Sequence, residues 1–164
     1  MITQDEALQL FEYKDGEIYW RVDRGWNKTT GKVAGGKSIS SGYRMCSINN
    51  KPEIVHRIIF IMHNGYLPEE IDHIDGNPLN NRIENLREAN RKTNGQNRKM
   101  QINNTSGAKG VSWHKAAGKW NVRVKDNNKR RSFGLFDDFE LAELVAIEAR
   151  NKLHGKFANH GIKK

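Results

Sequence analysis

An Asp-His pair followed by a run of asparagines makes Ile71 to Asn97 the most chemically suggestive segment of the sequence. His73 could act as a general base, because imidazole titrates near neutrality. Asp72 could offer a carboxylate oxygen to a hard cation such as Mg²⁺, which proteins hold through few of their own oxygens. Phosphodiester hydrolysis needs both groups: a base that activates water, and a cation that stabilises charge on the phosphate.

Two asparagines could complete such a site. Asn94 can supply a neutral amide oxygen as a further ligand, and Asn85 can hydrogen-bond the imidazole and fix its tautomer. The competing interpretation is structural, because asparagine favours loops and caps, and a polar turn with a hydrogen-bonded histidine would contain the same residues. Asp75 could be a second metal ligand or part of a simple turn. His56 and His63 could each have a structural role or contact phosphate.

Hydrophobic spacing indicates the elements that would position these residues. "EALQLFEY" predicts a short helix ending near Gly16, while "GEIYWRV" and "GYRMCSI" predict strands. "EIVHRIIFIMHNG" predicts a helix closed by its final Asn-Gly, and "EEIDHI" is short and strand-like. The segment from Arg82 fits either one helix or a short strand around Asn85 to Arg87, followed by a helix that starts near Asn90.

Residues 99–108 are polar and form the best candidate for a linker, after which the chain predicts a second module. Three strands are predicted in "KGVSWHKAAGKWNVRVKDNNKRRSFGLF". An amphipathic helix is predicted in "DDFELAELVAIEARNKLHG", capped by Asp137 or Asp138 and ended by Gly155.

Strand alternation separates two faces of this predicted sheet. Val122 and Val124 would point to one face, which the helix covers. Arg123, Lys125 and Arg130 would point to the other. Arg131 and Phe133 are expected to share a face, with Ser132 beside Arg130 on the opposite one.

Charge is unevenly distributed along the 164 residues, whose formal net charge is +9. Residues 1–100 hold 15 Lys and Arg against 13 Asp and Glu, whereas residues 101–164 hold 13 against 6, a net of +7. This excess favours a polyanionic partner, nucleic acid before membrane. The alternative is a solvated charged face without a partner.

Composition also excludes several classes of protein. Cys46 is the only cysteine, so neither an internal disulfide framework nor a cysteine-based zinc site can form. Cys46 lies in an alternating run and is predicted to be a small buried strand residue. The acidic N-terminus does not resemble a signal peptide, and no apolar stretch approaches the roughly 18–20 residues that span a bilayer. We expect a soluble cytoplasmic protein with no disulfide-linked partner.

The segment "VHRIIFIMHNGYLPEEIDHIDGNPLNNRIENLREANRKTNGQN" resembles the HNH endonucleases with a ββα-metal fold, notably the homing endonucleases of phages and their introns. The resemblance is close over residues 54–98. It implies that His73 is the general base, that Asn85 positions it, and that Asp72 and Asn94 bind Mg²⁺ or Mn²⁺. Many HNH nucleases have histidine in place of Asn94, so the chain matches the His-Asn-Asn branch. This favours a hard cation, because an amide oxygen is a poor zinc ligand. The resemblance also favours the short strand and separate helix after Arg82.

The segment from "GVSW" to "LHGKFA" resembles the APETALA-type DNA-binding domain of plant ethylene-response factors. That family packs a three-stranded antiparallel sheet on one helix and reads DNA with the sheet. Trp120 fits the core better than a base-stacking role, whereas both roles remain open for Trp113. The positions that correspond to DNA contacts are Lys109, Trp113, Lys115, Arg123, Lys125, Arg130 and Ser132.

The sequence therefore predicts an α+β protein. Residues 1–98 would form an HNH nuclease domain with a small β-rich N-terminal region, 99–108 a linker and 109–164 the DNA-binding domain. The expected function is site-specific, metal-dependent cleavage of double-stranded DNA by a monomer, one strand per active site. The alternatives are a non-catalytic DNA-binding regulator and an RNA-directed protein. The basic sheet lacks the run of exposed aromatic residues that single-stranded RNA favours.

Overall fold

A computed structural model describes residues 2–98, 100–127 and 129–161. It combines helices with small antiparallel sheets, which confirms the mixed helix-and-sheet class. Contacts divide the chain into two compact units, Met1–Arg91 and Lys92–Lys164. The boundary falls before the predicted linker, and the domain limits given above stay a prediction.

The first unit begins with a short helix and a hairpin. Helix α1 (Gln4–Leu10) is followed by strands β1 (Phe11–Lys14) and β2 (Glu17–Trp20), which pair antiparallel. The predicted helix was therefore too long by most of β1. Phe11 is fully buried and its ring centre lies 4.6 Å from that of Trp20, so packing across the hairpin overrides the helical spacing.

A second sheet leads into the longest helix of this unit. Strands β3 (Gly36–Lys37), β4 (Arg44–Ile48) and β5 (Lys51–Ile54) pair antiparallel in chain order. Helix α2 (Val55–Asn64) follows and is apolar on most of its surface. It ends at Gly65, whose φ of 77° is the left-handed conformation that glycine favours, as the Asn-Gly pair predicted.

The Asp-His pair lies at the end of a strand that pairs with the next strand of the chain. Strand β6 (Glu70–His73) pairs antiparallel with β7 (Leu86–Ala89), and the chain enters β7 through a 3₁₀ turn (Ile83–Asn85). Helix α3 (Arg91–Gln96) follows directly. This arrangement confirms the short strand and separate helix rather than one helix from Arg82.

The core of the first unit forms where these elements meet. Its largest fully buried apolar side chains come from β1, β2 and α2: Phe11, Ile18, Val55, Ile58 and Ile59. Cys46 on β4 is 2% exposed and belongs to the same core, as predicted.

The second unit packs one sheet on one helix. Strands β8 (Val111–His114), β9 (Lys119–Asp126) and β10 (Lys129–Phe136) pair antiparallel with β9 in the centre. Helix α4 (Phe139–His154) follows and begins as predicted, because the Asp138 carboxylate accepts a hydrogen bond from a backbone N–H of the first turn.

Small side chains let α4 approach the sheet. Ala142 and Ala146 are fully buried and cluster with Val111 and Val122 of the sheet. The predicted alternation fails on β10, because a β-bulge lies between Ser132 and Gly134.

As a result Phe133, which was expected to face the helix, is the extra residue of the bulge and is 36% exposed.

None of the helices in the described part of the chain has the length and apolar character that a bilayer crossing requires.

Candidate nuclease site and basic face

The imidazole of His73 is buried at the end of β6 and is enclosed by other rings. His73 is 5% exposed. The ring of His56, on α2, meets it edge-on with centroids 4.9 Å apart, and the ring of Tyr43 stacks on it at 6.2 Å. Burial, together with the charges of His73 and Arg57, lowers the pKa of His56 to about 3. His56 is therefore a neutral packing group, which supports the structural rather than the phosphate-contacting role.

The amide of Asn81 holds one nitrogen of His73. Asn81 is 2% exposed, and its Oδ1 lies 3.0 Å from Nε2 of His73. An amide oxygen only accepts hydrogen bonds, so this contact requires the proton of the neutral imidazole to sit on Nε2. The basic lone pair then belongs to Nδ1. A fixed tautomer is what a general base needs, so Asn81 is a functional candidate that the sequence analysis missed.

The other asparagines build the loop that connects β6 to β7. The Asp75 carboxylate accepts hydrogen bonds from Asn77 N at 2.7 Å, Asn80 Nδ2 at 2.7 Å and Asn85 Nδ2 at 3.0 Å. Burial opposes ionisation of Asp75, but these bonds outweigh it and lower its pKa. Asp75 is thus committed to the turn, which favours the turn over a second metal group.

Asn85 supports the loop rather than the imidazole. Its Oδ1 accepts from Asp75 N at 3.0 Å, and its Nδ2 donates to Asn80 O at 2.7 Å as well as to Asp75. Within the described residues, its side-chain hydrogen bonds do not include His73. The expected direct contact from Asn85 is therefore replaced by one from Asn81, because the loop folds back so that Asn81 reaches the ring.

Asp72 is paired with an arginine on the neighbouring strand. Arg87 lies opposite Asp72 in the β6–β7 register, and its Nε and NH2 donate to Oδ2 at 2.9 and 2.6 Å. Asp72 is 5% exposed and the Arg87 side chain 14%. Burying a carboxylate requires such compensation. The sequence analysis missed Arg87, although the strand pairing would have indicated it.

The remaining predicted ligand, Asn94, lies on α3 and is half-buried. The donors proposed from sequence are a carboxylate and an amide, both hard oxygen ligands. No cluster of three His, Cys, Asp or Glu side chains suited to a metal occurs in the part of the chain that the structure describes.

Comparison with known proteins finds a family match for the segment that contains His73. Residues 53–96 match the family described as HNH endonuclease. The chain is 43% identical over 97 residues to Protein 3.8 of Escherichia phage T7, an alignment that covers 58% of this chain and 79% of that protein. The chain belongs to the family of Protein 3.8 and carries an HNH endonuclease domain. No solved structure matches the chain significantly.

The HNH match contains β6, the asparagine-rich loop and β7, so it includes His73, Asn81 and Asp72. It ends at residue 96, and the basic sheet of the second unit lies outside it. Hydrolysis of DNA is the activity that the HNH family suggests for the matched segment.

The basic sheet brings four of the predicted DNA-contacting residues together on one face. Arg130 lies opposite Lys125, and Ser132 lies opposite Arg123, in the β9–β10 register. All four are exposed. Like charges opposite each other destabilise a sheet. Arg123, Lys125 and Arg130 have no acidic partner within the described ranges. An anionic ligand would relieve this repulsion.

Three other predicted contacts lie away from this set. Lys115 is exposed in the β8–β9 turn. Lys109 donates to Arg98 O and to Asn159 O, and burial, reinforced by Arg150, lowers its pKa to about 8. Its ammonium group thus ties backbone segments together. It is not displayed to a ligand.

Trp113 shares the side of the sheet that carries Val111 and Val122, opposite the basic face, because it pairs across the strands with Trp120. Trp120 packs on Phe139 with ring centroids 4.9 Å apart, as expected of a core residue. Trp113 remains 50% exposed at the edge of this cluster.

Proposed function

We propose that the chain is a metal-dependent, site-specific DNA endonuclease of the homing type, in the His-Asn-Asn branch of the HNH nucleases. It would nick one strand of duplex DNA at each active site. The observation that carries the proposal is the buried imidazole of His73, anchored through Nε2 by Asn81 at the residue that follows Asp72 in β6.

In this proposal His73 is the general base. With Nε2 protonated and held at 3.0 Å by Asn81, Nδ1 accepts the proton of the attacking water. Tyr43 and His56 limit rotation of the ring by packing on it. Asn85 supports the base indirectly. Its three side-chain hydrogen bonds close the loop that contains Asn81.

Asp72 and Asn94 are the proposed ligands for Mg²⁺ or Mn²⁺. Their oxygens fit a hard cation and are poorly suited to zinc. Arg87 would keep Asp72 in a fixed orientation by binding Oδ2 through two donors. When bound, the cation would supply stabilisation for the negative charge that develops on the phosphate oxygens and on the leaving 3′ oxygen.

The second unit would hold the DNA, as an APETALA-type domain does. Arg123, Lys125, Arg130 and Ser132 would form its contact surface, with Lys115 at the end of the sheet. Cations on a β-sheet can reach phosphates and base edges in the major groove. We further propose that the chain acts as a monomer in the cytoplasm of a phage-infected bacterium, with a nuclease domain at 1–98 and a DNA-binding domain at 109–164.

A nicking assay tests this function. Supercoiled plasmid carrying the genomic locus that surrounds the gene is incubated with the chain in Mg²⁺ or in EDTA. Conversion to open circle is expected in Mg²⁺ alone, and His73→Ala should abolish it while duplex binding persists. His63→Ala is the matched control, because Nδ1 of His63 lies 2.8 Å from the Ile59 carbonyl of its own helix and its ring packs on Tyr13, which supports a structural role and predicts no effect on cleavage.

The outcomes separate the candidate functions. Cleavage by His73→Ala at the unsubstituted rate would contradict the role of the base. Binding without conversion, on this locus and with either Mg²⁺ or Mn²⁺, would support the non-catalytic regulator instead. Stronger competition by RNA than by duplex DNA would favour the RNA-directed alternative.

A further inference from the structure

Trp26 is fully exposed at the tip of a tight turn in the first unit. Its relative exposure is 104%. Arg24 and Asn27 close the turn by exchanging backbone hydrogen bonds of 3.2 and 3.1 Å, which leaves Gly25 and Trp26 as its central residues. Tryptophan usually buries much of its large apolar surface. Single exposed apolar side chains are common, and what distinguishes Trp26 is the closed, basic turn that carries it.

Side-chain hydrogen bonds make this turn rigid. Oδ1 of Asp23 accepts from Thr29 N at 2.8 Å, from Thr30 N at 3.0 Å and from the Thr30 hydroxyl at 2.8 Å. The guanidinium of Arg24 lies 4.5 Å from the ring centre of Trp20, which is 7% exposed. The tip is thus anchored to the core, and a ligand would not have to order it on binding.

The turn is also strongly basic. Residues 21–32 contain four cations, and Asp23 is their only acid. The carboxylate of Asp23 is occupied by the hydrogen bonds just described. Lys28 and Lys32 are exposed and form no ion pair with any residue that the structure describes.

We propose that this turn is a second DNA contact, in which the Trp26 indole wedges against the bases of a duplex while Lys28 and Lys32 bind phosphates. Apolar wedges flanked by cations suit a base stack between phosphate backbones. Membrane surfaces also attract tryptophan with lysine, but the neighbours Gly25 and Asn27 add no apolar side chain to insert. The inference rests on the proposed function only in taking duplex DNA as the ligand.

A binding series with the full chain tests the contact. Labelled duplex from the same locus is titrated at low salt with the unsubstituted chain, with Trp26→Ala and with Trp26→Phe. Trp26→Ala should weaken binding roughly 5- to 150-fold, the range for loss of one base-stacking aromatic group. Trp26→Phe should lose less. Ile39→Ala is the matched control, because Ile39 is 102% exposed in the same unit and should be neutral.

Fluorescence then identifies the ligand. The chain has four tryptophans, so the emission of Trp26 is obtained by subtracting the spectrum of Trp26→Phe. Duplex DNA should quench this difference signal, and anionic lipid vesicles should leave it unchanged.

Equal affinities for the unsubstituted chain and Trp26→Ala would overturn the inference and leave the proposed nuclease intact. A response to vesicles without one to DNA would assign the turn to membranes. Failure of the unsubstituted chain to bind any duplex would overturn both proposals.

Discussion

Replacing Asn81 with aspartate tests whether this amide fixes the tautomer of His73. The substitution keeps the shape of the side chain and turns the amide that contacts Nε2 into a carboxylate. A negative charge at this position favours the imidazolium form, so the histidine should release its proton only at higher pH. The acid limb of the pH–rate profile for nicking should therefore move to higher pH.

The size of the shift follows from the 3.0 Å separation of Asn81 Oδ1 and His73 Nε2. An opposite charge this close moves a titration by about 1–3 units, or about 1.4–4 kcal/mol. At a pH where the unsubstituted base is half active, a shift of this size should make the variant cleave roughly 5- to 500-fold more slowly. Asn81→Ala should slow cleavage without this upward shift, because it removes the acceptor and adds no charge.

The assay is single-turnover nicking of supercoiled plasmid between about pH 5 and 9, with circular dichroism to establish folding. Asn80→Ala is the neighbouring control, because Asn80 binds Asp75 and not the imidazole. Asn64→Asp adds the same charge at an exposed position of the first unit. An unmoved acid limb in folded Asn81→Asp would refute the assignment of Nε2 as the anchored nitrogen of the base.

Other substitutions test the fold and the basic face. Arg87→Ala should lower the free energy of unfolding by about 3–5 kcal/mol because it breaks a buried ion pair by removing one partner. Lys119→Ala breaks an exposed ion pair and should cost less than about 1 kcal/mol. Urea denaturation compares the two, and equal losses would contradict the burial argument. Gly35→Ala should lower the melting temperature, since Gly35 has φ of 85° and an added Cβ would lie 2.5 Å from a backbone oxygen of β4. Arg123→Ala and Arg130→Ala should each reduce the slope of log affinity for DNA against log salt by about 0.9, and unchanged slopes would remove these residues from the DNA contact.

Elements whose burial repeats at a regular interval could be predicted from the sequence. α2 and α4 were recognised from apolar spacing and their terminal glycines, and both helices end as expected. The alternation of Val122 and Val124 predicted the buried side of β9. The Asp72-His73 pair could be selected as a candidate because carboxylate and imidazole chemistry depends on residue type, and its catalytic role stays a prediction.

Features that depend on the path of a loop or on a local irregularity could not be predicted. Asn80 and Asn81 are adjacent and chemically identical, yet only the second reaches His73, and no spacing rule distinguishes them. The bulge that displaces Phe133 breaks the period of two on which the face assignment relied. Phe11 belongs to a helical pattern, and its strand conformation arises from a partner across the hairpin.

The hydrogen bonds described for the loop between β6 and β7 are all local in sequence. The His73–Asn81 contact spans eight residues, and the Asp75–Asn85 contacts span ten. Closing such short loops costs little chain entropy, so the hydrogen-bonded loop beside the imidazole can assemble early in folding. His73 and the asparagines of this loop also lie on one short stretch of gene. Recombination can transfer that stretch as a block, which would let an HNH segment of this kind be joined to different neighbouring modules without being rebuilt.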